Sequence, residues 1–62
     1  MAALAVDPQT AAAAIGVTVG TLKRWRREGV GPVYCRIGNR VRYRIADLDA
    51  WLAANAVAPQ RH

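Results

Sequence analysis

Four basic side chains lie within a short stretch of the chain, at Lys23, Arg24, Arg26 and Arg27, and only Glu28 offsets them there. A lysine ammonium is a compact positive donor, whereas an arginine guanidinium is a rigid fork that fits a phosphate or the O6 and N7 atoms of guanine. This set of donors is therefore typical of binding to a nucleic acid. The alternative is a surface helix whose charge only keeps the protein soluble.

A second basic set favours nucleic-acid binding over that alternative. It comprises Arg36, Arg40, Arg42 and Arg44. The 62-residue chain has nine Lys and Arg against four Asp and Glu, a net charge of +5, and an excess of this size favours a polyanionic partner. Because a bias towards alanine and arginine is also typical of a GC-rich genome, the placement of the arginines has to carry the argument.

The first basic set lies on a predicted helix over 18–28, with Thr18 as its N-cap and Gly29 as its terminator. At helical spacing, the apolar side comprises Val19, Leu22 and Trp25, and the opposite side comprises Gly20, Lys23, Arg24 and Arg27, with Thr21 at its margin. Arg26 falls near the apolar side and is expected to extend along it. Since Gly20 and Thr21 are small, the first turn can approach the bases in a major groove closely.

An upstream helix is predicted over 8–15. Asp7 and Pro8 are typical of an N-cap and a first helical residue, and Gly16 closes the helix. Two helices joined by a short turn, the second with a basic front, make a helix-turn-helix. Any tight helical hairpin would also need a residue such as Gly16, so the turn alone does not decide the motif.

Hydropathy alternates between 33 and 45, which predicts a β-hairpin over 33–44 with a buried face and a basic face. The buried face comprises Val33, Cys35, Ile37, Val41, Tyr43 and Ile45, and the basic face comprises Tyr34, Arg36, Arg40, Arg42 and Arg44. Cross-strand partners share a face, so odd positions should pair with odd positions. This predicts a three-residue loop over 37–39, with Arg36 opposite Arg40 and Cys35 opposite Val41.

A third helix is predicted over 46–55, followed by a tail over 56–62. Its apolar stripe comprises Leu48, Trp51 and Leu52. Asp47 and Asp49 lie in its first turns, where carboxylates suit the positive end of the helix dipole, and a catalytic acid pair is the alternative. Asn55 can cap the end of this helix.

The order helix, helix, strand, strand, helix predicts a single α+β domain over 1–62, a small winged helix-turn-helix. The basic helix would lie in the major groove, and the hairpin, or wing, would reach the flanking backbone or the minor groove. The donors expected to contact DNA are Lys23, Arg24 and Arg27 in the helix, Arg40 next to the wing turn, and Arg36 and Arg42 behind it. If about four to six of them neutralise phosphates, affinity should fall with salt at a log–log slope of about −4 to −5.

Other classes of function find little support in the sequence. There is no Ser/His/Asp set, phosphate-cradling glycine loop or Cys/His cluster, so no enzyme, metal site or cofactor is expected. Cys35 is the single cysteine and is expected as a small buried residue, Trp25 and Trp51 as core residues, and His62 without a role. No apolar run reaches membrane-spanning length and no signal peptide is evident, so the protein is expected in the cytoplasm, with the nucleoid.

Three stretches together resemble a known family: GVTVGTLKRWRREG at 16–29, RIGNRVRYR at 36–44 and DLDAWL at 47–52. They are similar to excisionases, the recombination directionality factors with a MerR-like winged helix, and to the related AlpA-type regulators. The likeness extends over residues 6–55. It departs at Gln9 and Thr10, where the family has acidic residues, and at Ala13 and Ala14, where the family has bulkier aliphatic residues.

The resemblance implies a non-enzymatic protein that binds double-stranded DNA beside a phage or mobile-element attachment site, often with neighbouring copies of itself, and bends it. In doing so it would direct an integrase towards excision. Matched by position, the DNA contacts would be Thr18, Val19, Gly20, Thr21, Lys23 and Arg24 in the helix, and Arg36, Asn39 and Arg40 in the wing. MerR proper adds a coiled coil and an effector domain, so no small-molecule ligand is expected here. A promoter-binding regulator and an integrase-docking adaptor with little DNA affinity are the rival interpretations.

Overall fold

The structure is a computed structural model that describes residues 3–58 of the chain. Within that range the elements are β1 Ala5–Val6, α1 Pro8–Ile15, α2 Val19–Glu28, β2 Cys35–Ile37, β3 Arg40–Arg44 and α3 Ile45–Ala54. The strands form an antiparallel sheet in the order β1-β3-β2, so β3 is central. The α+β winged helix-turn-helix architecture predicted from the sequence is confirmed.

Local hydrogen bonds fix the two helices of the helix-turn-helix. The Asp7 carboxylate accepts from the Thr10 N–H at 2.7 Å, and Pro8 begins α1 behind it. Gly16 has a φ of +82°, a left-handed conformation that suits glycine, and its N–H donates to the carbonyl of Ala12. Thr18 then caps α2 by accepting from the backbone N–H of Thr21 at 3.1 Å. Both predicted N-caps are therefore confirmed.

The core is small and draws on three helices and the central strand. Its buried members are Ala11, Ala12, Leu22, Tyr43 and Leu48, and the half-buried residues packed against them are Val6, Ile15, Val17, Trp25 and Val41. The two alanines let α1 approach its neighbours closely. Ala13 and Ala14 are exposed, so the small residues that depart from the excisionase pattern do not reduce core filling. Trp25 and Trp51 pack on each other with ring centroids 5.5 Å apart and join α2 to α3.

The three-residue loop predicted for the hairpin is wrong. The strands pair Ile37 with Arg40, Arg36 with Val41 and Cys35 with Arg42, which leaves the two-residue turn Gly38-Asn39. Gly38 has a φ of +60° and Asn39 does not have a positive φ, as in a type II′ turn, whose twist matches that of the flanking strands. The turn thus shifts the register by one residue, which moves every side chain of β2 to the other face relative to β3.

The predicted division of hairpin residues into a buried odd face and a basic even face is therefore also wrong for β2. Val33 and Ile37 are each 63% exposed, and Cys35 is half-buried. Arg36 instead lies on the side of Val41 and Tyr43, which is the side that faces the core. The alternation along 33–37 did not report burial because the outer face of this edge strand is open to solvent.

Further differences from the prediction concern the first strand and the third helix. Strand β1, which the sequence did not indicate, pairs with β3 and brings Val6 opposite Tyr43. Helix α3 begins one residue early, at Ile45, which is 46% exposed rather than buried, and Leu52 of its predicted stripe is 43% exposed. Asn55 caps the helix as predicted, its side-chain amide donating to the carbonyl of Trp51 at 2.8 Å. Of the predicted tail, residues 59–62, including His62, lie outside the described residues.

Candidate nucleic-acid interface

The outward face of α2 carries unpaired positive charge. Lys23, Arg24 and Arg27 are exposed. Among residues 3–58 the one ion pair within 4.0 Å joins Arg44 to Asp47, so none of these three donors is neutralised by a carboxylate. The apolar side that the sequence predicts for this helix is narrower than expected, because Val19 is 40% exposed and Leu22 alone is buried. Val19 thus lies on the solvent side, beside the basic residues.

The first turn of α2 is open to solvent, but some of its hydrogen-bonding groups already bond to each other. The Thr18 hydroxyl accepts from the Thr21 N–H and donates to the Thr21 hydroxyl oxygen at 3.0 Å. Its proton is therefore engaged, whereas the hydroxyl proton of Thr21 remains able to donate outwards. Gly20 is exposed, and a Cβ placed on it would meet only the Thr18 hydroxyl, at 3.8 Å. The backbone at Gly20 can therefore come close to another molecule.

At the wing, the structure separates side chains that the sequence grouped together. Arg36, Asn39 and Arg40 are exposed, and Arg40 directly follows the turn, as expected for a wing-tip donor. The observed register puts Arg36 and Arg40 on opposite faces of the hairpin, since Arg36 faces Val41 across the strands. The predicted single basic face is therefore wrong, and the wing offers one exposed guanidinium without a carboxylate partner on each side, that of Arg36 and that of Arg40.

Two other wing arginines are already engaged. The guanidinium of half-buried Arg42 donates to the carbonyl of Val41 at 2.7 Å. Arg44 forms a bidentate pair with Asp47, with Nε–Oδ2 and Nη2–Oδ1 distances of 2.6 and 2.9 Å, and this pairing raises the pKa of Arg44. Asp47 thus lies in the first turn of α3, as predicted, and also pairs with the last residue of β3. Arg42 remains a predicted site residue, but it is less available than Arg36 or Arg40.

Arg26 of α2 does not point outwards with the other basic residues but lies against two tyrosines of the wing. Arg26 is half-buried, its Nη1 donates to the Tyr43 hydroxyl at 2.9 Å, and its guanidinium lies 5.9 Å from the ring centroid of Tyr34. The two tyrosine rings are themselves 6.0 Å apart. The sequence predicts that Arg26 extends along the apolar side, but not this partner set. The signal for it was the cross-strand position of Tyr34 and Tyr43, which face each other only if the turn has two residues.

Comparison with models of known protein families identifies the family of this chain. A family model described as a helix-turn-helix domain matches residues 6–56, which span both helices, the wing and α3. The chain belongs to this helix-turn-helix domain family. No curated protein shows a significant match to the chain. In helix-turn-helix domains the second helix lies in the major groove and its first residues contact base edges, so membership supports DNA binding through α2 of this helix-turn-helix protein.

The described part of the helix-turn-helix protein shows two further properties. Across residues 3–58, no three His, Cys, Asp or Glu side chains come together as ligands of a metal ion would. Over the same residues, no helix has the length and apolar character needed to cross a bilayer.

Proposed function

We propose that this helix-turn-helix protein recognises specific sites in double-stranded DNA and acts there as an excisionase, a factor that directs an integrase towards excision. The observation that carries the DNA-binding part is the outward face of α2. Three unpaired basic side chains flank an open first turn at Gly20, in a domain whose family supports DNA binding through that helix.

The proposed contacts divide by chemistry. Gly20 and Thr21 admit base edges, with Thr18 holding the turn in place and Val19 available for apolar contact with a thymine methyl group. Lys23, Arg24 and Arg27 donate to phosphates or to guanine. In the wing, Arg36, Asn39 and Arg40 contact the flanking backbone, and Arg42 contributes least because it already donates to the protein backbone.

The excision role is supported by the resemblance of the motifs at 16–29, 36–44 and 47–52 to excisionases. In this proposal the protein bends attachment-site DNA, occupies adjacent sites as several copies, and so favours the assembly in which integrase excises the element. A transcriptional regulator would use the same DNA-binding surface at a promoter. The two roles therefore differ in the location and spacing of the sites and not in the contacts.

A DNase footprint with titrated protein tests the role. We expect protection of several regularly spaced sites in attachment-region DNA of the element that encodes the protein, with hypersensitive bands between them where the duplex bends. Protection at a promoter alone would replace the excision proposal by the regulator. No footprint even at low salt would favour an adaptor that docks on integrase without binding DNA.

A matched pair of variants tests which residues carry the activity. Arg24→Ala combined with Arg40→Ala removes two exposed, unpaired donors and is expected to abolish the footprint and excision. Arg44→Ala also removes a guanidinium, but this one is already paired with Asp47. The Arg44 variant is therefore expected to retain both the footprint and excision. Excision that survives the loss of Arg24 and Arg40 would contradict DNA binding through this face.

A further inference from the structure

Arg26 is the basic side chain of α2 that neither the predicted contact set nor the exposed face includes. It is held from two sides, by a hydrogen bond to the buried Tyr43 and by the ring of Tyr34 beneath its guanidinium. A guanidinium has five N–H donors in a fixed fork. One hydrogen bond of this group to the described residues is present, so the fork is fixed in orientation while most of its donors remain available.

The charge of Arg26 has no counterion in the described chain. No carboxylate lies within 4.0 Å of it among residues 3–58, and that range contains all four of the chain's acidic residues. Tyr43 is a neutral acceptor. Since a partly buried charge is costly without an opposite charge, a guanidinium placed in this way fits an anion that another molecule supplies.

The space in front of Arg26 has room for such an anion. Arg26 lines a groove of about 310 Å³ with the segment 29–34, which connects α2 to the wing. Gly31 in this segment has a φ of +87° and lies directly against the ring of Trp25, which keeps the segment close to the helix. This groove, lined by Arg26 and residues 29–34, is therefore a crease between the C-terminal end of α2 and the wing.

The neighbours of the crease indicate which anion it takes. At 100° per residue, Arg26 lies about 60° around α2 from Lys23, at the margin of the basic face. The crease is lined by Arg26 of α2 and by the segment that leads into the wing, so a polyanion bound to both elements would pass beside it. Because Arg26 lies in the last turn of α2 and donates to Tyr43, away from the first turn that is proposed to meet base edges, it is placed for a backbone group.

We propose that Arg26 binds a phosphate of the DNA backbone in this crease, in an orientation fixed by Tyr43 and Tyr34. The proposal rests on DNA binding through α2, and it adds a phosphate contact at the junction of the helix and the wing. The contact would also fix the position of the wing relative to the helix on the duplex.

The test is the salt dependence of DNA affinity for the wild-type chain and for Arg26→Met, measured on the footprinted site. We expect the variant to bind about tenfold more weakly at moderate salt, as for the loss of a hydrogen bond to a charged group. Its log–log slope should be shallower by about 0.9, which corresponds to one phosphate. Arg26→Lys keeps the charge and should keep the slope. Arg44→Met, which removes an arginine already paired with Asp47, should change neither quantity.

The outcomes separate the proposal from its alternatives. If Arg26→Met binds more weakly with the wild-type slope, Arg26 only positions the helix and the proposal is overturned. If the variant binds DNA normally but no longer supports excision, the crease takes an acidic group of a protein partner instead, which also overturns it. If the wild-type chain shows no salt-dependent binding, the proposed function itself has failed. Should Arg26→Met not fold, as judged by circular dichroism, Arg26→Gln removes the charge while retaining a donor for Tyr43.

Discussion

Two constraints act on Gly31: its left-handed backbone conformation and the side chain of Trp25 that packs against it. Its φ of +87° lies in the left-handed region, and a Cβ there would sit 2.7 Å from Cε3 of Trp25 and 3.1 Å from its Cβ. Both constraints arise because the segment after α2 turns back across the indole on its way to the wing. In the sequence, Gly31 and Pro32 indicate only that the helix ends here, because the close approach to Trp25 depends on the folded arrangement.

We expect Gly31→Ala to lower the free energy of unfolding by about 2–4 kcal/mol, because left-handed strain and a steric clash both act there. Gly16→Ala is the matched control. Gly16 has a similar φ of +82°, but no atom lies within 4 Å of its added Cβ, so this variant should lose only about 1–2 kcal/mol. Urea unfolding of both variants measures the difference. Equal losses would mean that the ring of Trp25 moves aside at little cost.

The arginines show that one residue type can have three roles in a chain of this size. Arg24 and Arg40 are exposed and unpaired, Arg44 is neutralised by Asp47, and Arg26 is held between tyrosines. The formal charge of +5 therefore says little about how much unpaired positive charge the surface presents. Which guanidinium is available depends on contacts that the residue type alone does not specify.

At the scale of the element, α1 depends on its N-cap. Hydrogen bonds from Thr10 to the Asp7 carboxylate, and to a smaller extent the positive charge of Arg42, lower the pKa of Asp7 below its ordinary value of 3.8. The unfolded chain then binds more protons than the folded chain between the two pKa values, so stability rises with pH in that window. The contribution is complete above about pH 4 and is lost as the pH falls through the folded-state pKa.

Asp7→Asn tests this linkage, because asparagine is also a good N-cap but does not titrate. We expect the two proteins to have similar unfolding free energies at neutral pH, and the wild type to lose more stability than the variant as the pH falls below about 4. The other carboxylates are common to both chains, so the difference between the two profiles isolates Asp7. Parallel profiles from pH 7 to pH 3 would show that the Thr10 hydrogen bonds do not favour the charged carboxylate.

Helices could be predicted from this sequence more fully than strands could. The caps at Asp7 and Thr18 and the terminators at Gly16 and Gly29 act within a few residues, so local sequence determines them. The hairpin register depended on which of two turns forms at Gly38-Asn39, and the hydropathy of 33–37 indicated the wrong one because that face is exposed. Strand β1 has two residues and exists only through its pairing with β3, a contact that no local pattern reports.

The candidate site divides in the same way. The basic face of α2 followed from helical spacing alone, and the exposure of Lys23, Arg24 and Arg27 agrees with it. The faces of the wing could not be predicted in this way, because they depend on the register in which β2 pairs with β3. The engagement of Arg42 and Arg44 and the crease at Arg26 required the packing of side chains from separate elements.

For the whole molecule, we expect the electrostatic part of DNA binding to depend mainly on those exposed donors among residues 3–58 that have no carboxylate partner. They are Lys23, Arg24, Arg27, Arg36 and Arg40. Each phosphate neutralised on B-DNA contributes about −0.9 to the log–log slope of affinity against salt, so these five contacts together with the proposed contact of Arg26 give a slope of about −5. Arg42 and Arg44 should add little, because Arg42 donates to a backbone carbonyl and Arg44 is paired.

Fluorescence anisotropy with a duplex of the footprinted site, over a series of salt concentrations, measures this slope. A non-specific duplex is the control for sequence recognition: it should show a comparable slope with weaker binding, since the same phosphates are contacted without the base contacts made by the first turn of α2. A slope near −1 on the specific site would mean that the basic surface of α2 and the wing does not face DNA. A slope of the expected size on both duplexes with equal affinity would mean that the protein binds DNA without recognising a sequence, which would remove the basis for a site-specific role in excision.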